Sequence, residues 1–488
     1  MKQSSVLRLE ETISAVSSQR KHSQRWPPAR CVGCEPATHR CLSSPKSPRL
    51  PLYSLVEDHF DRFEQIYDDV YAREYGFWRP VIREVVDKYI DCGDLRCGFA
   101  RARCSSCAHE FLLAFSCKGR FFCPSCHQKR VLQFAEWVTQ NVLEPVPHSQ
   151  YVFTIPKMLR VYFKYDRKLL GALSHCAWEA LRQYFQAALP DGQMRPGVIV
   201  SIQTYGRTAN YHPHLHVLCS DGCFDPESTF HALPWVDNHE LEALFRHRVL
   251  RMLLDGDKIT PERVELLLTW KHSGFAVHRG RQLQPTDTQG QETVAAYLLH
   301  APISQQRMDY DPTSATVRYD TLPQPQAWPF SVHEAGPQPQ QTFTALDWLA
   351  ALTSHIPNKG EQTLRYYGFY SNKSRGQRRQ AALGHDPQVS PVPQSQPPAT
   401  ADAGLQEFRK ACRRSWARLI KKVYEIDPLL CPRCQGPMEI ISCIEDPRVI
   451  KSILLHLKLW DLPPRPPPPA ASPPDTIRDY GFFEGLVS

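Results

Sequence analysis

The sequence lacks a long apolar segment. None of its hydrophobic runs approaches the roughly 18 residues that a membrane-spanning helix requires, and its N-terminus has no apolar stretch typical of a secretory signal. The charge excess is also small, because 58 Lys and Arg side chains face 50 Asp and Glu side chains, a net +8. We therefore expect a cytoplasmic protein, with no membrane contact, whose charge permits a polyanionic partner without requiring one.

A second absence is the phosphate-binding loop GxxxxGK[ST], which does not occur in the chain. Chemistry that depends on ATP held in such a loop is therefore excluded. Proline, in contrast, is abundant, with 43 residues that concentrate in a few segments. Such clusters interrupt helices and sheets. They divide the chain into a disordered leader (1–50), two folded regions (51–145 and 146–380), a linker (381–404), a basic helical region (405–460) and a proline-rich tail (461–488).

The periodicity of the folded regions predicts an α+β fold. Apolar residues recur at helical spacing over residues 53–90, and alternation predicts a β-hairpin formed by Val198–Tyr205 and His212–Cys219. A helix is predicted over Glu292–Ala301. The architecture expected is a zinc-knuckle region, a central domain with an antiparallel sheet flanked by helices, and a small C-terminal helical region that carries a CxxC pair.

The 17 cysteines point to zinc, because reducing compartments disfavour structural disulfides. Cys104-x2-Cys107 and Cys123-x2-Cys126 have the spacing of a structural four-thiolate site. The alternative is four reduced core cysteines. Further ligands lie close enough to exchange roles or to build a second site: Cys92, Cys97, Cys117, His109 and His127. Cys431 and Cys434 form half a site, which Cys443 and His456 could complete.

Two histidines in the second strand of the hairpin form a candidate catalytic metal site. Alternate residues of a strand share a face, so His214 and His216 project together, while Leu215 and Val217 face the core. His212 lies on the same face, but Pro213 interrupts the ladder beside it. A metal held by imidazoles with open positions polarises a phosphoryl oxygen and still requires a nucleophile. Tyr297 on the predicted helix could attack such a phosphate, although spacing alone favours a packing role for it.

Cations interleaved with aromatic residues form two candidate DNA-binding segments. Lys118 and Arg120 flank the second cysteine pair beside Phe121 and Phe122, which could instead simply pack the zinc knuckle. The other segment surrounds Tyr366, Tyr367 and Tyr370, with a solvated loop as the alternative. Its cations are Arg365, Lys373, Arg375, Arg378 and Arg379.

The order of these motifs resembles that of a known family. His214-Leu215-His216, preceded by the cysteine-rich segment CGDLRCGFARARCSSC, is similar to the corresponding blocks of the HUH transposases of the insertion sequence 91 family, and most of all to the branch called insertion-sequence common region transposases. The resemblance continues through YVFTIPKMLR, WKHSGFAVHRG, TVAAYLLHAPIS and DPLLCPRC, and so spans about residues 53–457. It implies a zinc-binding region followed by an HUH nuclease domain.

The resemblance also assigns roles to individual residues. It implies that His214 and His216 are ligands of Mg²⁺ or Mn²⁺, and that Tyr297 attacks single-stranded DNA to give a 5′-phosphotyrosine. His278 is the preferred third ligand and His300 its competitor. Ala301 occupies the position of a second tyrosine, as in single-tyrosine relatives.

Other functions are also compatible with these motifs. A plasmid relaxase or a rolling-circle replication initiator would use the same chemistry. A zinc-dependent DNA-binding regulator without catalysis would use the histidines structurally. The oligomeric state is open, with a homo-oligomer as one option.

Overall fold

The structure is a computed structural model that describes residues 50–189, 193–233, 236–270, 273–320, 340–384 and 430–460. The predicted leader except residue 50, the linker from residue 385 onward, the basic segment before residue 430 and the proline-rich tail lie outside these residues.

The described chain contains both α-helices and antiparallel strands, in mixed order. The strands are β1 (Phe99–Cys104), β2 (Glu110–Ala114), β3 (His148–Thr154), β4 (Arg195–Tyr205), β5 (Tyr211–Phe224), β6 (Phe230–Ala232), β7 (Ala276–Leu283), β8 (Met308–Asp311), β9 (Thr316–Asp320), β10 (Gln340–Thr344), β11 (Leu364–Gly368) and β12 (Met438–Ile444). The α-helices are α1 (Pro51–Val70), α2 (Ala72–Tyr75), α3 (Val81–Ile90), α4 (Pro124–Asn141), α5 (Arg160–Tyr165), α6 (Lys168–Ala187), α7 (Asn238–Asp255), α8 (Pro261–Thr269), α9 (Thr288–Leu298), α10 (Ala345–Ser354), α11 (Asn372–Gly384) and α12 (Pro447–His456). The α+β expectation is confirmed.

The central sheet has the strand order β11-β4-β5-β3-β7, with β6 paired to the end of β5. Its interior strands are buried on both faces, because helices cover each side. Leu215 and Val217 of β5 pack into the core that contains α6 and α7. Leu218, on the opposite face, packs into the core that contains α4 and α9. The period of two along β5 therefore directs His214 and His216 toward the α4 and α9 side.

The N-terminal helices share their core with a segment far along the chain. Phe63 and Tyr67 of α1 belong to the same aromatic core as Tyr319 of β9 and Trp348 of α10. The sheet β10-β9-β8 and helix α10 thus pack on the N-terminal helices. Packing therefore crosses the predicted domain boundary at residue 145.

A third sheet, ordered β12-β1-β2, joins the cysteine-rich N-terminal segment to the C-terminal segment. The C-terminal segment contains the expected helix, α12, and also β12, a strand that the sequence did not predict. Ile450 and Leu454 of α12 pack on Phe99 and Leu112 of the hairpin β1–β2. In the described part of the chain, none of the helices is long and apolar enough to span a bilayer.

Gly368 ends β11 at φ +56°, where an added Cβ would lie 2.0 Å from the Pro196 carbonyl oxygen. We expect Gly368→Ala to lower the free energy of unfolding by at least about 1 kcal/mol, because alanine at this left-handed position collides with backbone. Gly376 in α11 is the matched control, since a Cβ there meets nothing within 4 Å. Gly376→Ala should stabilise the helix by about 0.5 to 1 kcal/mol. Urea unfolding of both variants measures the difference, and equal effects would contradict this account.

Candidate active site and zinc centres

The candidate active site begins with two imidazoles on one face of β5. His214 and His216 are both buried, and their Nε2 atoms lie 3.0 Å apart. His214 is paired across the sheet with Thr154 and Gln203, and His216 with Val152 and Ser201. Two nitrogens bound at right angles to one ion, each at about 2.1 Å, would be about 3.0 Å apart. The spacing fits a shared metal.

The hydrogen bonds of the two rings also fit metal binding. His214 Nδ1 lies 2.8 Å from the His212 carbonyl oxygen, so Nδ1 carries the proton and Nε2 keeps its lone pair. The side-chain amide nitrogen of Gln150 lies 3.2 Å from His216 Nδ1, while Gln150 Oε1 is buried without a hydrogen-bond partner in the described structure. Turning this amide over would let Oε1 accept from Nδ1–H. Both Nε2 lone pairs would then be available to one ion.

Burial keeps both imidazoles neutral. Desolvation lowers the pKa of His214 to about 3. It also lowers the pKa of His216 well below its usual value, with the neighbouring His214 and His300 as smaller causes. Neutral imidazole is the form that binds metals.

Helix α9 brings Tyr297 to this pair. The helix starts at Asp287, whose carboxylate accepts the Gly290 N–H at 2.8 Å. At its other end the Ser201 hydroxyl donates to the Leu298 carbonyl, and the Gln203 amide lies 3.3 Å from the same oxygen. The Tyr297 ring is thereby held edge-on to His216, with 5.1 Å between ring centroids. The structure thus brings Tyr297 together with His214 and His216.

Of the two candidates for third ligand, His300 lies close to the pair. Its ring centroid is 6.2 Å from that of His216, and it stacks on Tyr297 at 4.7 Å. His300 Nδ1 lies 3.0 Å from the Tyr297 carbonyl oxygen and 3.1 Å from the side-chain amide nitrogen of Gln203. If Nδ1 donates to the carbonyl, Nε2 keeps its lone pair. His278 shares the face but is paired with Val152, two strands from His216 and so about 10 Å away along the sheet. The geometry favours His300 over His278.

The four cysteines that the spacing assigned to one zinc site are not brought together. Cys123 and Cys126 cluster with Cys92 and Cys117, whereas Cys104 and Cys107 cluster with Cys431 and Cys434. The predicted grouping is therefore wrong, as is the completion of the C-terminal pair by Cys443 and His456. The hairpin β1–β2 is the cause: Cys104 and Cys107 lie at its turn, and the other pair lies beyond its open end. The six residues of β1 span roughly 17 Å.

The first cluster is connected to the tyrosine helix. Its Cys92 Sγ lies 3.6 Å from Cys126 Sγ and 3.9 Å from Cys123 Sγ. Next to Cys126 in α4, His127 accepts the Phe121 N–H at Nδ1, so its Nε2–H donates to the Leu299 carbonyl at 2.7 Å. Phe121 and Phe122 are buried and pack this knuckle, the alternative considered for them. The end of α9 is thus held from the zinc side as well as from β4.

The predicted DNA-binding cations fall into two groups. Lys118, Lys373 and Arg379 are exposed. The others contact their own chain: Arg120 donates to the Glu361 carbonyl at 3.2 Å, Arg375 lies over the Trp137 and Tyr366 rings, Arg378 donates to the Phe369 carbonyl at 2.8 Å, and Arg365 packs against Gly171. The aromatic residues around them also pack inward. Tyr370 is buried and Tyr367 stacks on Trp178.

Comparison with known proteins identifies the family. The profile of a transposase zinc-binding domain matches residues 62–155, and the profile of a putative transposase matches residues 197–378. The chain is 31% identical over 323 residues to the transposase for insertion sequence element IS801 of Pseudomonas savastanoi pv. phaseolicola, an alignment that covers 62% of this chain and 74% of that protein. The chain belongs to the IS91 transposase family.

A second relative of this transposase is more distant. The putative transposase y4qJ of Sinorhizobium fredii is 24% identical over 346 residues, which cover 66% of this chain and 82% of that protein. No solved structure matches the chain. The zinc-binding domain in the family match and the cysteine clusters together support structural zinc in the transposase.

Several residues at the candidate active site were not predicted from the sequence. Ser201 and Gln203 support α9, Gln150 contacts His216, and His127 connects α9 to the first cysteine cluster. Alternate residues of β4 share a face, and Ser201 and Gln203 lie on the same face of the sheet as His214 and His216, with which they are paired. Two polar residues at buried positions of a strand are the signal that could have identified them.

Loss of one ligand of the first cluster should remove a zinc ion. We expect Cys92→Ser to lower the zinc content by about one ion per chain after dialysis against EDTA, and to lower the melting temperature, because the binding free energy of a structural ion contributes to folding. Cys97→Ser is the matched control, since Cys97 lies five residues away, exposed and outside both clusters. Elemental analysis measures the ratio. An unchanged zinc content in Cys92→Ser would rule out this ligand set.

Proposed function

We propose that this transposase cleaves single-stranded DNA and transfers the strand through a 5′-phosphotyrosine on Tyr297, in rolling-circle-type transposition within the bacterial cytoplasm. One observation carries the proposal. The Tyr297 ring lies 5.1 Å from His216, whose Nε2 is 3.0 Å from that of His214, so a nucleophile and a metal-binding pair share one buried corner. A non-catalytic regulator would not require this combination.

In the proposed reaction Tyr297 Oη attacks the scissile phosphorus. The bond from phosphorus to the 3′ oxygen breaks, the Tyr297 hydroxyl gives up its proton, and the released 3′ oxygen takes up one proton to become a hydroxyl, so the step is balanced. Attack by a 3′-hydroxyl on the phosphotyrosine reverses the step and reseals a strand. A bound Mg²⁺ or Mn²⁺ would polarise a phosphoryl oxygen of the substrate. The phosphodiester energy is kept in the covalent bond, so no ATP is needed.

The protein residues around the tyrosine act by orientation. Ser201 and Gln203 hold the carbonyl end of α9, and His127 holds the Leu299 carbonyl from the opposite side. These contacts fix the direction in which Tyr297 projects. His214, His216 and His300 supply the metal ligands, and His278 is the second choice for the third position.

The DNA path follows the exposed cations. Lys118, Lys373 and Arg379 are available to phosphates, whereas Arg120, Arg365, Arg375 and Arg378 shape the segments that present them. Because Ala301 replaces a second tyrosine, each active site holds one DNA 5′ end at a time. Two ends held together would then require a second subunit with its own Tyr297.

The nucleophile is tested by Tyr297→Phe. We expect this variant to lose the covalent adduct with a single-stranded oligonucleotide in Mg²⁺ while it keeps DNA binding, because only one hydroxyl is removed. Tyr310→Phe is the matched control: the Tyr310 hydroxyl donates to Asp58 of α1 and lies 2.8 Å from His59 Nε2, and its ring packs with the N-terminal helices. Denaturing gels measure the adduct and fluorescence anisotropy measures binding. An adduct that persists in Tyr297→Phe would refute the assignment.

The metal ligands are tested by alanine variants of four histidines. His214→Ala and His216→Ala should lower metal-dependent cleavage by at least about 100-fold. The Mn²⁺ dissociation constant, measured by electron paramagnetic resonance, should rise in both variants and in His300→Ala. In His278→Ala it should change much less, because Val152 separates this residue from the pair. If Mn²⁺ binding weakens in His278→Ala but not in His300→Ala, His278 is the third ligand and the assignment of His300 is wrong.

A further inference from the structure

The second cysteine cluster is built from two segments that are far apart in sequence, the hairpin β1–β2 and the C-terminal CxxC pair. Cys104 Sγ lies 3.6 Å from Cys434 Sγ, and Cys107 Sγ lies 3.5 Å from Cys431 Sγ. The residues in these contacts are 330 and 324 positions apart in sequence. Cys431 and Cys434 lie outside both family matches, which end at residues 155 and 378.

The two CxxC segments have the same backbone conformation. The Cys104 N–H donates to the His109 carbonyl at 2.7 Å, and the Cys431 N–H donates to the Gly436 carbonyl at 2.8 Å. In each segment the residue after the second cysteine has a positive φ, 55° at Ala108 and 58° at Gln435. Both therefore form the same tight turn, with two sulfurs presented from each.

The two turns approach each other closely at Gly436. A Cβ on this residue would lie 2.6 Å from Ser106 Oγ and 3.3 Å from Cys434 Sγ. Glycine leaves room for the first turn beside the second. The Ser105 N–H donates to the Pro437 carbonyl at 3.2 Å. The adjacent residue of each segment, Cys104 and Met438, forms the first pair of the β1–β12 ladder.

The sulfur positions fit a metal and not a disulfide. A disulfide has sulfurs about 2.05 Å apart, far shorter than the two distances observed. In a tetrahedral zinc site with Zn–S bonds of about 2.3 Å, the sulfurs lie about 3.8 Å apart. Four thiolates and no water-accessible open position are typical of structural zinc.

The core directly around the sulfurs is small: in the described structure, Ala102, Phe111 and Met438 are the residues buried beside Cys104 and Cys431. The neighbouring core, in which α12 packs on the hairpin β1–β2, is separate from it. Cores of this size are usually stabilised by a metal or by disulfides.

We propose that Cys104, Cys107, Cys431 and Cys434 bind a second structural zinc ion, which fastens β12 and α12 to the N-terminal zinc-binding domain. The ion closes the intervening chain into a loop that contains the whole central sheet. The C-terminal CxxC is then part of the N-terminal zinc fold, and its role does not depend on the catalytic assignment of Tyr297.

The first test uses the full-length wild-type protein. Elemental analysis should give two zinc ions per chain, and no disulfide should be found by mass spectrometry. Cys107, Cys434 and Cys443 are all exposed, but only the first two belong to the cluster. N-ethylmaleimide should therefore label Cys443 and spare Cys107 and Cys434 until zinc is chelated. One zinc per chain, or equal labelling of the three cysteines, would overturn the proposal.

The second test compares two variants. Cys431→Ser/Cys434→Ser should bind one zinc, and the backbone amides of Met438–Ile444 should exchange with deuterium at least tenfold faster. Cys443→Ser, in the same strand, should keep two zinc ions and wild-type exchange. Two zinc ions in the double variant, or unchanged exchange in β12 after loss of one, would refute the fastening role. Where the double variant does not fold, the wild-type labelling decides.

Discussion

The contact between the end of helix α9 and strand β4 is the interaction on which the geometry of the candidate active site depends. The last carbonyl groups of a helix have no partner within it, and a buried carbonyl left unsatisfied costs about 1 to 3 kcal/mol. Ser201 and Gln203 satisfy these groups at Leu298 and neighbouring positions. The same strand is paired with β5, which carries His214 and His216. A single network of hydrogen bonds thus positions the tyrosine relative to the histidines.

The zinc-binding domain contributes to this geometry from the opposite direction. Cys126 belongs to the first cysteine cluster, and the next residue, His127, donates to the Leu299 carbonyl. Burial lowers the pKa of His127 to about 4, so the ring stays neutral and its single N–H points at that oxygen. The zinc-binding domain therefore supports the end of helix α9, which carries Tyr297, in addition to the support from β4.

The cations near α11 illustrate how packing divides a basic segment. The Arg375 guanidinium lies over the Trp137 and Tyr366 rings, and Arg378 lies 3.6 Å from the centroid of the Phe369 ring. A guanidinium over an aromatic face is stabilised by the ring quadrupole and keeps its charge. These two arginines stabilise the segment, while Lys373 and Arg379 remain exposed. The sequence alone does not distinguish the packed arginines from the exposed cations of this segment.

The sequence by itself determined the features that follow from local spacing. The period of two placed His214 and His216 on one face, the CxxC pairs predicted zinc, and the helix of Tyr297 followed from apolar periodicity. Motif order then indicated the family. These inferences succeed because each depends on neighbours within a few residues.

Tertiary structure alone decided which cysteines meet and which of two histidines lies near His216. Cys107 and Cys123 are close in sequence yet belong to different clusters, because the hairpin β1–β2 carries them to opposite ends. Cys431 meets Cys107 only because β12 pairs with β1. His300 lies near His216 because α9 packs across the sheet, whereas β3 separates His278 from it. Sequence spacing limits which residues can be ligands of one ion. Strand order and helix packing bring distant residues together, and neither can be predicted from a local sequence pattern.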